Sequence, residues 1–173
     1  MSRGFLMPTI NSLRILFTAI VAVLLAAVAV PTPALAEPST GTAERVTRYL
    51  AANPGGTVLN DNEISYRNGE LIVTLDAPVG SYGVADCPAG WFCFYEWPNY
   101  GYPRGRLSSC GWQNLSDWSW QFRVESAHYN LGSGHVGFYY HDQELFRVNP
   151  SKRVHSDAGK WRNWASRVYR HCP

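Results

Sequence analysis

Cys87-Pro88-Ala89-Gly90-Trp91-Phe92-Cys93-Phe94-Tyr95-Glu96 decides how the rest of this chain is read. A tight Cys-to-Cys loop built on Pro and Gly runs directly into an aromatic stretch of β character. From here to the C-terminus no long helical period occurs. Short β-rich runs at 91–96, 104–110, 121–129, 136–141, 145–148 and 166–170 are separated by turn residues. Many short strands at such spacing predict an all-β sandwich or barrel. All seven Trp fall between Trp91 and Trp164. The stretches 114–120 and 156–164 read as long connections carrying aromatic plugs.

The segment also echoes itself. Phe94-Tyr95 followed by Ser126-x-x-Tyr129 is matched by Phe138-Tyr139 followed by Ser166-x-x-Tyr169. A Trp-rich stretch precedes each Ser, Trp118/Trp120 in one half and Trp161/Trp164 in the other. Two copies of about 40 residues predict two Greek-key units packed face to face over their aromatics.

All four Cys (Cys87, Cys93, Cys110, Cys172) lie in this part of the chain. An even number in an oxidising compartment points to two disulfides, and spacing alone leaves three pairings open. The favoured set is Cys87–Cys93 with Cys110–Cys172. Zinc ligation would require C-x2-C or His at fixed offsets, and neither is present.

Moving toward the N-terminus, 76–86 reads as a linker. Before it, Arg67-Asn68-Gly69-Glu70 sits between two alternating runs, 63–66 and 71–75, which is a hairpin signal. Val46, Tyr49 and Leu50 at i, i+3, i+4 predict a short amphipathic helix over 43–52, stopped by Asn53-Pro54-Gly55-Gly56. Two strands alone are marginally stable, so this leader (37–86) is expected to dock on the main domain (87–173). At the start, Arg3 and Arg14, the apolar run 15–30 and Ala34-Leu35-Ala36 predict a secretory signal peptide, residues 1–36, cleaved after Ala36. The run is shorter than a membrane span requires. The net charge of +2 comes from the two Arg of that segment, and residues 37–173 are formally neutral. Composition therefore argues against nucleic acid or an anionic membrane as partner.

The opening decapeptide, with Tyr100 and Arg104-Gly105-Arg106-Leu107, resembles the C-P-x-G-x-x-C-x-Y start of the secreted bacterial peptidase inhibitors related to the Streptomyces metalloproteinase inhibitor (inhibitor family thirty-six). The resemblance covers roughly residues 87–172. It implies a βγ-crystallin-like fold, a sandwich of two Greek keys, with Phe94, Tyr95, Gly105, Ser126, Tyr129, Phe138, Tyr139, Ser166 and Tyr169 as its motif residues. It also implies a monomer that blocks extracellular metalloproteases by presenting a rigid loop, where preorganisation reduces the entropy cost of binding. In the best-known member the inhibitory loop has its own disulfide in the second half. Here residues 132–170 hold no Cys, so no reactive bond is carried over and the fold transfers better than the activity.

Several residues are candidates for a site. Trp97, Tyr100 and Tyr102 form an aromatic loop among Pro and Gly, suited either to a protein or polysaccharide surface or to an inward-folded corner. His135 and His141, six apart, would share one face of a regular strand. Family-type calcium sites place Asn or Asp just ahead of the Ser. Here Arg123 and Arg162 occupy places where oxygen ligands are needed, so neither calcium nor another cofactor is expected. Glu96 and Glu125 beside aromatics are the one conceivable carboxylate pair, but no nucleophile motif accompanies them. The expectation is a binding protein with no catalytic residues.

Overall fold

The computed structural model describes residues 40–173. The predicted signal peptide, residues 1–36, lies outside the described residues. The described chain is mostly β, with one short helix and two antiparallel sheets of seven and four strands arranged as a sandwich. Helix α1 (Thr40–Ala52) is followed by β1 (Thr57–Asn60), β2 (Glu63–Tyr66) and β3 (Leu71–Thr74). Then come β4 (Trp91–Trp97), β5 (Gly101–Leu107), β6 (Gly111–Asn114), β7 (Ser126–Asn130), β8 (His135–Tyr140), β9 (Gln143–Val148), β10 (Val154–His155) and β11 (Arg167–His171). Among the described residues no helix is long and apolar enough to cross a membrane.

The larger sheet runs β1-β2-β3-β5-β4-β7-β10 and the smaller β6-β11-β8-β9. Advancing each label of β4 to β7 by four maps the first copy onto the second. The core of the larger sheet, β5-β4-β7, corresponds to β9-β8-β11 in the smaller. The third strand of each copy is exchanged: β6 joins the sheet of the second copy and β10 that of the first. The weak sequence echo therefore reflects a duplicated strand order.

The aromatics of the two copies meet in the core. Phe94 and Phe138 lie 6.4 Å apart at 78°, and Phe94 is edge-on to buried Trp120 at 4.8 Å. Phe146 stacks on Phe138 at 4.5 Å. Each such pair contributes about 0.5–1.5 kcal/mol beyond burial of its area. Gly105 faces Phe94 across β4 and β5, and a Cβ at that position would run into the Phe94 ring. Ser126 Oγ hydrogen-bonds the Trp97 carbonyl at 2.7 Å, and Ser166 Oγ the Tyr139 carbonyl at 3.3 Å. Tyr129 is buried, whereas Tyr139 and Tyr169 are half-buried around Trp112.

Three expectations need correction. The run 104–110 is not one strand. The chain leaves the larger sheet after Leu107 and enters the smaller at Gly111, whose φ of 84° permits the crossing. The run 121–129 becomes a strand only at Ser126. Before it, Phe122 takes a φ of 62°, and its N–H goes to the Ala165 carbonyl instead of a strand neighbour. Third, His135 and His141 are not strand-mates: the register shifts between Phe138 and Tyr139, and His141 lies in the turn beyond β8.

The helix and hairpin extend the sandwich. β3 pairs with β5, while Val46, Tyr49 and Leu50 of α1 pack on the main core. Arg123 ties the two parts together. Its guanidinium pairs with Glu96 at 2.7 Å, donates to Asn53 Oδ1 at 2.8 Å, and lies 4.9 Å over Trp120. The disulfides are Cys87–Cys93 and Cys110–Cys172, the favoured pairing. They suit the oxidising conditions outside a cell.

Candidate functional site

The predicted aromatic loop divides in two. Tyr100 and Tyr102 turn inward and pack on buried Tyr95 at 5.5 and 5.9 Å. Asp86, the last residue before Cys87, accepts from the Tyr95 hydroxyl at 2.9 Å and from the Tyr102 hydroxyl, and pairs with Arg104 at 3.1 Å. Burial first, then Asp86, raises the pKa of both tyrosines. Both hydroxyls stay protonated and act as fixed donors. Trp97 alone of the three is exposed, at the bulged end of β4.

A second aromatic surface is assembled from parts distant in sequence. Phe122 precedes β7, Tyr140 ends β8, and Trp161 and Trp164 precede β11. Tyr140 lies 6.1 Å from Phe122 and 5.4 Å from Trp164, and Trp164 lies 6.3 Å from Trp161. Phe122 and Trp164 are 45% and 48% exposed, so the cluster is presented to solvent. Its ring planes cross at 56°, 85° and 77° and form no flat platform.

The backbone beneath it is strained and braced. Phe122, His141 and Asn163 have φ values of 62°, 49° and 58°. For a bulky residue such as Phe122 that conformation costs about 1–3 kcal/mol and persists only when neighbours enforce it. The enforcing bonds cross between loops. Asn163 N–H donates to the Val124 carbonyl at 3.1 Å and its Nδ2 to Glu125 at 2.6 Å. Arg167 donates to the His141 carbonyl at 2.6 and 2.9 Å and to Asp142 at 2.7 Å. Beside this lies a polar groove of about 460 Å³ lined by Gln121, His141, Asp142 and Arg167 among others. The arrangement offers rigid aromatic anchors with charged groups at the rim, the pattern of a protein contact surface.

Glu96 is held by Arg123, while Glu125 is buried and receives Asn163. Arg162 binds Asp157 at 2.6 Å and depresses its pKa to about 2. No group of three or more His, Cys, Asp or Glu that could hold a metal occurs among the described residues. The surface as a whole is invisible to sequence reading; only Trp161 and Trp164 stand out, in the Trp-rich connection 156–164.

His128 gives this β domain a pH dependence. Its Nδ1 accepts the Cys87 N–H at 3.0 Å. Burial, with further help from Arg153 and Arg104 against the opposing pull of Asp86, lowers its pKa from 6.5. The unfolded chain then binds the proton more readily, so stability falls as pH drops below about 6.5 and levels off below the folded pKa. His155 and His135, lowered mainly by burial, add in the same direction. Urea midpoints are expected to be lower at pH 5 than at pH 7.5, and His128→Gln to flatten part of that difference. An unchanged slope in the variant contradicts the assignment.

Comparison of the chain with family models, with curated proteins and with solved structures gave no match.

Proposed function

We propose that this chain is a secreted peptidase inhibitor that occupies the cleft of an extracellular metalloprotease and performs no chemistry of its own. The observation that carries the reading is the cross-braced aromatic surface of Phe122, Tyr140 and Trp164. Three loops are locked together by hydrogen bonds and Arg167, so little conformational freedom is left to lose on association. Trp and Tyr on such a support are the residue types that dominate protein contacts. The crossed ring planes favour a protein partner at this surface over a polysaccharide, which stacks best on coplanar rings.

The fold we assign is the βγ-crystallin-like pair of Greek keys. The duplicated strand order and the reciprocal exchange of β6 and β10 support it. So do Ser126 and Ser166, hydrogen-bonded to the carbonyls of Trp97 and Tyr139 at the ends of β4 and β8.

Titration of residues 37–173 against thermolysin-like proteases and a panel of serine proteases tests the function. Inhibition at micromolar concentration or below is expected for a metalloprotease. Trp164→Ala and Tyr140→Ala should each raise the inhibition constant by about 30-fold, the scale of a central aromatic anchor. Absence of inhibition for every protease, or variants that inhibit as well as the parent, overturns the reading.

A further inference from the structure

We infer that the cleft between β6 and the tip of the β2–β3 hairpin is a binding site for a neutral saccharide. The cleft holds about 250 Å³, the scale of one or two sugar rings. Trp112, 52% exposed on strand β6, forms its apolar wall. Two further residues that line it carry unmet hydrogen-bonding capacity. Trp118 is only 3% exposed, yet its indole N–H has no partner. Gln113 donates through Nε2 to the Ser109 carbonyl at 2.6 Å, while its Oε1 has no partner. Buried polar atoms left open in this way are uncommon and call for an explanation.

The two open groups are opposite in sense, one donor and one acceptor. A ring hydroxyl both donates and accepts, so the hydroxyls of one sugar can answer both. Charge argues against an anionic ligand: Arg67 pairs with Asp117 at 3.2 Å, and Glu70 also lines the cleft. No cationic excess remains for a phosphate or carboxylate. The guanidinium of Arg67 lies 5.9 Å over the Trp118 ring and its side chain is 55% exposed.

The hairpin tip is shaped for this position. Arg67, Asn68 and Gly69 take φ values of 47°, 56° and 96°, three successive left-handed residues. That strain brings Arg67 and Glu70 to the cleft lined on its other side by Trp112 and Gln113. The leader segment therefore completes a site that the sandwich alone leaves open on one side. This surface shares none of Phe122, Tyr140 and Trp164 with the proposed protease contact.

Calorimetric titration of residues 37–173 with chitotetraose, cellotetraose, xylotetraose and maltotetraose tests the proposal. Saturable binding of at least one is expected. Trp112→Ala should weaken it by about tenfold or more through loss of the aromatic wall. Trp118→Phe, which stays aromatic but loses the N–H together with the pyrrole ring, should weaken it by about fivefold. Trp164→Ala should leave sugar affinity unchanged, and Trp118→Phe should leave protease inhibition unchanged, so the two functions fail independently. The proposal is overturned if none of the four sugars saturates by about 10 mM. Binding that survives both Trp112→Ala and Trp118→Phe overturns it too, as does saturation by tetra-alanine in place of any sugar.

Discussion

Asp86→Ala is expected to lower the unfolding free energy by about 3 kcal/mol, because it leaves a buried guanidinium without its counter-charge. Arg104 is 5% exposed, and its charge is met at 3.1 Å by the Asp86 carboxylate. The same carboxylate receives the hydroxyls of Tyr95 and Tyr102, so one substitution opens three polar groups. Arg104 keeps its bonds to the Asp86 carbonyl at 3.0 Å and to Thr74 at 3.0 Å, which holds the loss at the low end for a broken buried pair. Surface pairs set the contrast. Arg45 and Asp76 approach to 2.6 Å, but their side chains are 47% and 42% exposed, and Arg45→Ala should cost under about 1 kcal/mol. Asp86→Asn should fall between the two. Asp86→Ala combined with Arg104→Met should recover part of the loss, since the stranded charge goes with its partner. Urea unfolding of the four variants decides the matter. A loss for Asp86→Ala no greater than that for Arg45→Ala would show that the carboxylate is dispensable.

The second large effect comes from the covalent staples. Cys110–Cys172 joins residues 62 apart, and Cys87–Cys93 residues 6 apart. On the chain-entropy argument the long loop contributes about 4 kcal/mol and the short one about 2. The position of the long staple adds to its importance. It ties the start of exchanged strand β6 to the end of β11, the strand between β6 and β8 in the smaller sheet. Cys110→Ser with Cys172→Ser is therefore expected to destabilise the protein more than Asp86→Ala does. Its urea dependence should also be steeper, because the unfolded chain is released to expand. Equal or larger damage from removing Cys87 and Cys93 would contradict the loop-length argument.

Much of the architecture is legible where local chemistry decides conformation. Asn68-Gly69 announces the β2–β3 hairpin, and Asn53-Pro54-Gly55-Gly56 ends α1 at Ala52. Runs of aromatic and β-branched residues mark β4, β8 and β9, which contribute to one aromatic core. Strand β6 escapes such reading for the opposite reason. It is four residues long, only half-buried, and exists because β11 pairs with it from more than fifty residues away. Alternation says which side chains are covered but not which sheet covers them, so the exchange of strands leaves no local trace. The run 121–125 carries strand-forming residues, yet Phe122 is bonded to Ala165 and Arg123 is drawn to Glu96 and Asn53. Tertiary contacts override propensity there. The aromatic surface is hidden in the same way. Phe122 and Trp164 lie in two loops and Tyr140 ends β8, and their proximity is a property of the assembled sandwich.

The exchange of β6 and β10 bears on how such a molecule can arise. A polypeptide holding one copy of the strand order would have a donated strand with no sheet to join and a sheet lacking its outermost member. Two such polypeptides would mend both defects by trading strands. Joining the copies through the connection between β7 and β8 turns that encounter into an intramolecular one, with an effective concentration on the order of millimolar. Dilution then no longer pulls the halves apart.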